Sequence, residues 1–144
     1  MAAWTPSLLS ILRVVAGFLF MMHGTQRLFG FPAPMPGSPA ELPPLILAAG
    51  IIEVAGGILM LLGLLTRPVA FLLSGEMAVA YFKAHATQGF WPLLNGGELA
   101  ALYSFVFLFI AAAGPGPWSV DAFVRPPVIK WSSSEPRPQP RIAA

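Results

Sequence analysis

The sequence predicts an all-α, integral membrane four-helix bundle, and three observations predict it. The first is composition: of 144 residues, 56% are hydrophobic and 10% charged, with a mean hydropathy of +0.74, where soluble domains average about 25% charged residues. A soluble globule of this length has too little interior to hide that apolar surface, and a disordered chain needs the opposite balance. The second is punctuation. Sixteen prolines break the chain into windows, because proline removes a helix hydrogen bond and clashes with the preceding turn. Four windows stay free of it, from Pro6 to Pro32, Pro44 to Pro68, Pro68 to Pro92 and Pro92 to Pro115, and each fits the roughly 20-residue helix that crosses a hydrocarbon core. The third is the solvent. Lipid offers no hydrogen bonds to an open sheet edge, which makes a helix bundle the natural architecture.

The elements follow in order. Helix 1 is expected from about Leu8 to Leu28. It lacks a basic stretch before its apolar run, carries Arg13 within it and continues into HGTQRLFG without a small-residue cleavage pattern, so it reads as a retained span and not a signal peptide. Helix 2 is expected from about Leu45 to Leu65, helix 3 from about Val69 to Ala86, and helix 4 from about Gly97 to Ala113. FPAPMPGSPAELPP, Phe31 to Pro44, is a loop, and the terminal SSSEPRPQPRIAA reads as a disordered tail. Lys and Arg in the flanks set the orientation. The N-terminus, the turn holding Arg67 and the tail holding Arg125, Lys130, Arg137 and Arg141 fall on one side, which is then cytoplasmic with both termini. Arg27 and Lys83 lie toward the other. Trp91, Trp118, Tyr81 and Tyr103 fall near span ends, as interfacial rings do.

Composition also excludes. A net charge of +2 without a basic block gives no surface to track phosphates, so nucleic acid is not a partner. With no cysteine there is no disulfide, iron–sulfur cluster, thiolate nucleophile or Cys-type zinc site. Phosphate-cradling loops, nucleophile elbows and paired-His metal motifs are absent from the sequence.

Chemistry then rests on the ionisable residues inside the spans, which are costly there and usually face a bundle interior or wet cavity. Arg13, Arg27 and Lys83 balance Glu53, Glu76 and Glu98. On helix 2, Ala49, Glu53, Gly56, Met60 and Gly63 share a stripe of small residues that turns Glu53 inward. His23 and Arg27 share a face of helix 1, and Glu76 and Lys83 share one of helix 3. The alternating spans place His23, Arg27, Glu53, Lys83, His85 and Glu98 in the outer half of the membrane, with Glu76 deeper and Arg13 near the inner face. Some of these residues have plain structural readings. Arg13 sits close enough to the start of its span to snorkel to the inner headgroups, Asn95 and Glu98 match a helix-start pattern with Asn95 as N-cap, and Lys83 can reach the interface. Glu53 and Glu76 are either functional or a structural pair or protonated carboxyl. A bis-histidine haem between His23 and His85 is the weaker use of the imidazoles, since neither has a secure supporting partner. His23 as a hydrogen-bonding or proton-transfer residue beside Arg27 is the stronger.

The order of these motifs resembles the DoxX family of small bacterial membrane proteins. Arg13 and Gly17 followed by HGTQRLFGFP, then GIIEVAGGILMLLGLLTRPVA, SGEMAVAYF, QGFWPLLNGGELAALY and GPGPWSVDAF carry the likeness over about residues 13 to 123. Many relatives have Lys after the HG pair where this chain has Arg27, which keeps the charge and changes donor geometry. The resemblance implies a four-span domain over residues 1–123, a cytoplasmic tail over 124–144, a bacterial inner-membrane location and a small subunit or partner of a membrane redox complex linked to quinone. The chain has no electron carrier of its own, so other membrane subunits supply electrons. A quinone can sit between helices with Arg27 or His23 donating to its carbonyl, Glu53 or Glu76 handling protons, and Phe18, Phe20, Tyr103 and Phe105 as apolar walls. The candidate ligand-binding set is His23, Arg27, Glu53, Glu76, Lys83 and Glu98. Two other readings stand beside it: a non-catalytic accessory or assembly subunit, favoured by small residues such as Gly56 and Gly57 on adjacent faces, and a small-solute or proton carrier, favoured by the intramembrane acids but lacking an inverted repeat.

Overall fold

A computed structural model describes residues 4–35, 37 and 41–124. It is all-helical, with no strand among the described residues. The tail with Arg125, Lys130, Arg137 and Arg141 lies outside them.

Helix α1 runs over Thr5–Phe29, with Pro6 in its first turn, where the missing N–H is no loss. It stops at Gly30, whose φ of 65° is left-handed, and the Gly30 N–H closes on Gln26 O. Helix α2 runs over Pro44–Leu62 and stops the same way at Gly63, φ 68°. Helix α3, Thr66–Ala80, continues through a π turn at Tyr81–His85 and a 3-10 turn at Ala86–Gln88. A short α4, Pro92–Asn95, leads into α5, Glu98–Ala113, and a last turn, α6, covers Val120–Val124. The expected spans are α1, α2, α3 with its extension, and α5. Two of them, α1 and α2, are long and apolar enough on their own to cross a membrane.

The helices pack as two tight pairs, α1 with α2 and α3 with α5. Glycine allows the first: a Cβ on Gly17 would stand 2.7 Å from Met60 Cβ, and one on Gly57 would stand 2.6 Å from Met21 Cβ. The second is tied by two serines, Ser74 Oγ donating to Ser104 O at 2.8 Å and Ser104 Oγ donating to Ser74 O at 3.1 Å. Between the pairs lies the core. Phe20 meets Tyr103 and Phe107 edge-on at centroid distances of 5.4 and 4.9 Å, beside Met60, Leu73 and Ile110. Gly56 and Gly57 are both consumed inside the chain, by Leu73 of α3 and Met21 of α1. Large apolar side chains of every bundle helix, among them Leu8, Val15, Ile51, Phe71 and Phe105, are instead exposed, as lipid contact demands.

The structure departs from the sequence reading at Arg13. It does not snorkel: it is 0% exposed. The segment after α5 folds over that end of the bundle, and Arg13 donates from Nε to Pro115 O at 2.9 Å, from Nη1 to Met60 O and Leu61 O, and from Nη2 to Trp118 O. Carbonyls of the last turn of α2 are natural acceptors for a cation. Trp118 N donates to Ser10 Oγ, and the Asp121 carboxylate accepts from Leu65 N and Thr66 N at 2.9 and 2.8 Å, capping α3 from α6. Arg67 donates to Ala111 O and Ala112 O at the end of α5.

Candidate functional site

At the opposite end, where α1 finishes and α2 begins, the two pairs separate around a cavity of about 220 Å³. His23 and Arg27 reach it from α1, Glu53 from α2, Met77, Ala80 and His85 from α3 and its π turn, and Leu99, Ala100 and Tyr103 from α5. Arg27 Nε lies 3.1 Å from Glu53 Oε2, with Arg27 28% and Glu53 1% exposed. The contact is an ion pair without aligned hydrogen-bond geometry, so Oε2 retains room for a second donor. The His23 ring stands edge-on to Tyr103, which stacks on Phe107.

His85 arrives through the π turn. There hydrogen bonds span five residues and not four, so His85 falls close to one turn beyond Ala80, on the cavity face. Its Nδ1 lies 3.0 Å from Asn95 O. A carbonyl only accepts, so Nδ1 carries the proton, and in the neutral ring Nε2 is left as an acceptor. Lys83, expected to share a face with Glu76, falls within the same π turn and is exposed. Asn95 is not the N-cap of the last span. It ends α4, with Oδ1 accepting from Gly97 N at 2.8 Å and Nδ2 donating to Gly89 O at 2.8 Å, because the two glycines that follow let the chain turn before Glu98. Glu98 is exposed at the start of α5.

Of the expected set, His23, Arg27 and Glu53 therefore meet in the cavity, while Lys83 and Glu98 lie outside it. Glu76 sits behind the wall, beside Met77 and one turn from Ala80. Its two carboxylate oxygens are buried without a hydrogen-bond partner, within electrostatic reach of Glu53 and Arg27. Among the expected rings Phe20 and Tyr103 line the cavity, and Phe18 and Phe105 face outward. Asn95 as the anchor of His85 is new, and nothing in the local sequence signals the π turn that makes it possible.

A helical membrane protein with a cavity at one end, lined from four helices and edged by an ion pair, is the class this geometry defines. The DoxX family model matches residues 8–86, and the chain belongs to the DoxX family. It is 46% identical over 122 residues to an uncharacterized protein of Haemophilus influenzae, covering 82% of this chain and 91% of that one. It is 31% identical to an uncharacterized membrane protein of Mycobacterium tuberculosis, over 81% of this chain and 80% of that one. Against the inner membrane protein YphA of Escherichia coli the identity is 28%, over 81% of this chain and 89% of that one. No solved structure matches the chain.

Proposed function

We propose that this protein is the small membrane component of a quinone-linked redox assembly and that the cavity holds the quinone head. The cavity edged by the Arg27–Glu53 pair carries the reading. A quinone carbonyl needs donors, which Arg27, His23 and the Tyr103 hydroxyl offer, and a quinol hydroxyl needs acceptors, which Glu53 and His85 Nε2 offer. About 220 Å³ suits one substituted ring and is small for a tetrapyrrole. The chain has no cysteine, and electrons enter from a partner protein.

The positive-inside rule puts both termini in the cytoplasm and this cavity in the outer leaflet. Reporter fusions after Ala144 and within the loop between α1 and α2 test that orientation, and a C-terminus found outside overturns it. The accessory-subunit reading loses the free glycine faces that favoured it, since Gly56 and Gly57 are filled from within.

The deciding experiment titrates a short-chain quinone against wild type and a His23→Ala, Glu53→Gln double variant. Saturable binding weakened by about tenfold or more, a loss of at least ~1.4 kcal/mol, supports the site. Equal or absent binding in both rejects it, and a Soret band in the purified protein favours haem instead.

A further inference from the structure

The chain between the 3-10 turn and α5 reads GFWPLLNGG, from Gly89 to Gly97, without a charge. It connects two helices at one end of the bundle, where a water-facing loop turns polar side chains outward. This one does the reverse. Phe90, Trp91, Leu93 and Leu94 are 64 to 81% exposed, whereas several of its polar groups are met from within. Tyr81 Oη donates to Phe90 O at 3.3 Å, Asn95 Nδ2 to Gly89 O, and His85 Nδ1 to Asn95 O. Leu94 N and Asn95 N share Trp91 O, while Gly97 N is held by Pro92 O and Asn95 Oδ1. Internal satisfaction of irregular backbone beneath outward apolar side chains is what a water-poor layer requires.

Two further observations fix the occupant. Exposed apolar residues also stand on the helices at either side of the patch, Phe82 before and Leu102 after. The exposed charges nearest to it, Lys83 and Glu98, stand at the helix ends on either side, as residues at headgroup level do. The exposed members of the cavity wall are Gly96 and Leu99, so the mouth opens beside this segment.

We propose that Gly89–Gly96 is a lip inserted in the bilayer interface, which opens the cavity sideways to lipid acyl chains and not upward to water. His85 joins the two, since the ring that lines the cavity also holds the lip by Asn95 O. A ligand then reaches the site by lateral diffusion in the membrane. The proposal concerns the lipid contact and stands whether or not the ligand is a quinone.

Because the chain has no cysteine, Leu94→Cys and Leu99→Cys each give full-length protein a single attachment point for a nitroxide. In vesicles of phosphatidylcholine and phosphatidylglycerol, dissolved oxygen is expected to collide with both labels several-fold more often than a water-soluble nickel chelate does. Equal access by the chelate at either position overturns the proposal in favour of a water-filled mouth. Poor access by both reagents at Leu94 overturns it in favour of a protein partner on the lip. Should either labelled variant fail to assemble, a Trp4→Phe, Trp118→Phe, Trp131→Phe variant leaves Trp91 as the reporter. Quenching by lipids brominated in the upper acyl chain is the expected result, and quenching by iodide instead overturns the lip.

Discussion

Each end of the bundle holds an arginine, Arg13 buried and Arg27 partly exposed, and the two are held in opposite ways. Arg13 is enclosed by carbonyls of Met60, Leu61, Pro115 and Trp118, from two separate parts of the chain. Around it Asp121 caps α3, Arg67 caps α5 and Ser10 receives Trp118 N; the Thr66 hydroxyl is the buried group there without a partner. Arg27 instead faces one carboxylate across an unaligned 3.1 Å contact, beside open volume and the unpartnered oxygens of Glu76. Saturated hydrogen bonding fixes geometry. Unspent donors and acceptors beside a void are what a ligand needs. On the proposed reading the Arg13 end is structural and the Arg27 end holds the ligand, although both look alike as isolated charges in apolar runs.

The comparison is most exposed to failure at Arg13. Arg13→Met keeps an unbranched apolar stem and removes the guanidinium, taking a donor from the carbonyls of Leu61, Pro115 and Trp118, while Met60 O keeps Gly63 N. A buried acceptor left unpaired costs ~1–3 kcal/mol, and the set is expected to cost at least about 3 kcal/mol without simple additivity. Thermal unfolding in detergent reads the loss, with early proteolysis after Ala113 as the signature of a released C-terminal segment. A loss below about 1 kcal/mol would mean that Arg13 reaches the headgroups after all.

At the other end Glu53→Gln removes one partner of an ion pair whose Arg27 is already 28% exposed. The freed guanidinium can turn toward headgroups, so the expected cost is ~1–3 kcal/mol, below that of Arg13→Met and below the full penalty of a sealed pair. Adding Arg27→Gln should recover part of it, and the double-mutant cycle measures how much. No recovery would place Glu53 on some other partner. Asp121→Asn, returning to the first end, keeps an oxygen for one of the two α3 N–H groups and loses the charge at the helix start. About 0.5–2 kcal/mol is expected, read by the same melting curve.

How much of this was legible depended on where each residue's partners sit in the chain. Proline and glycine act on their immediate neighbours, so the spans could be read to within a turn, with Pro6, Pro44 and Pro68 lying inside first turns and not outside them. Glu53 was legible as inward because its own helix carries the small-residue stripe. Arg13 was misread because its acceptors at Pro115 and Trp118 lie about a hundred residues away and no local pattern announces them. His85 and Lys83 exchanged places for a subtler reason. An α-helical count puts Lys83 on the Glu76 face, and only the π turn, which that count does not foresee, brings His85 to the cavity.

The smallest effect is expected at Glu76, and there the comparison is sharpened most. Its carboxylate oxygens make no hydrogen bond and no ion pair in the structure, so Glu76→Gln, nearly the same in shape, removes no contact. It also removes any repulsion with Glu53, which lies within electrostatic reach. Stability should change by less than about 1 kcal/mol, with a small gain as the favoured sign, because replacing a buried ionisable group that has no partner relieves more than it takes away. A fall of more than ~2 kcal/mol in the same melting assay would show Glu76 to be held by a partner, and both ends of the bundle would then be structural. The quinone titration separates the remaining cases. If Glu76 stands behind the wall, its variant binds the head as wild type does, whereas Glu53→Gln does not; weakened binding by Glu76→Gln alone would move the carboxylate from the wall into the site.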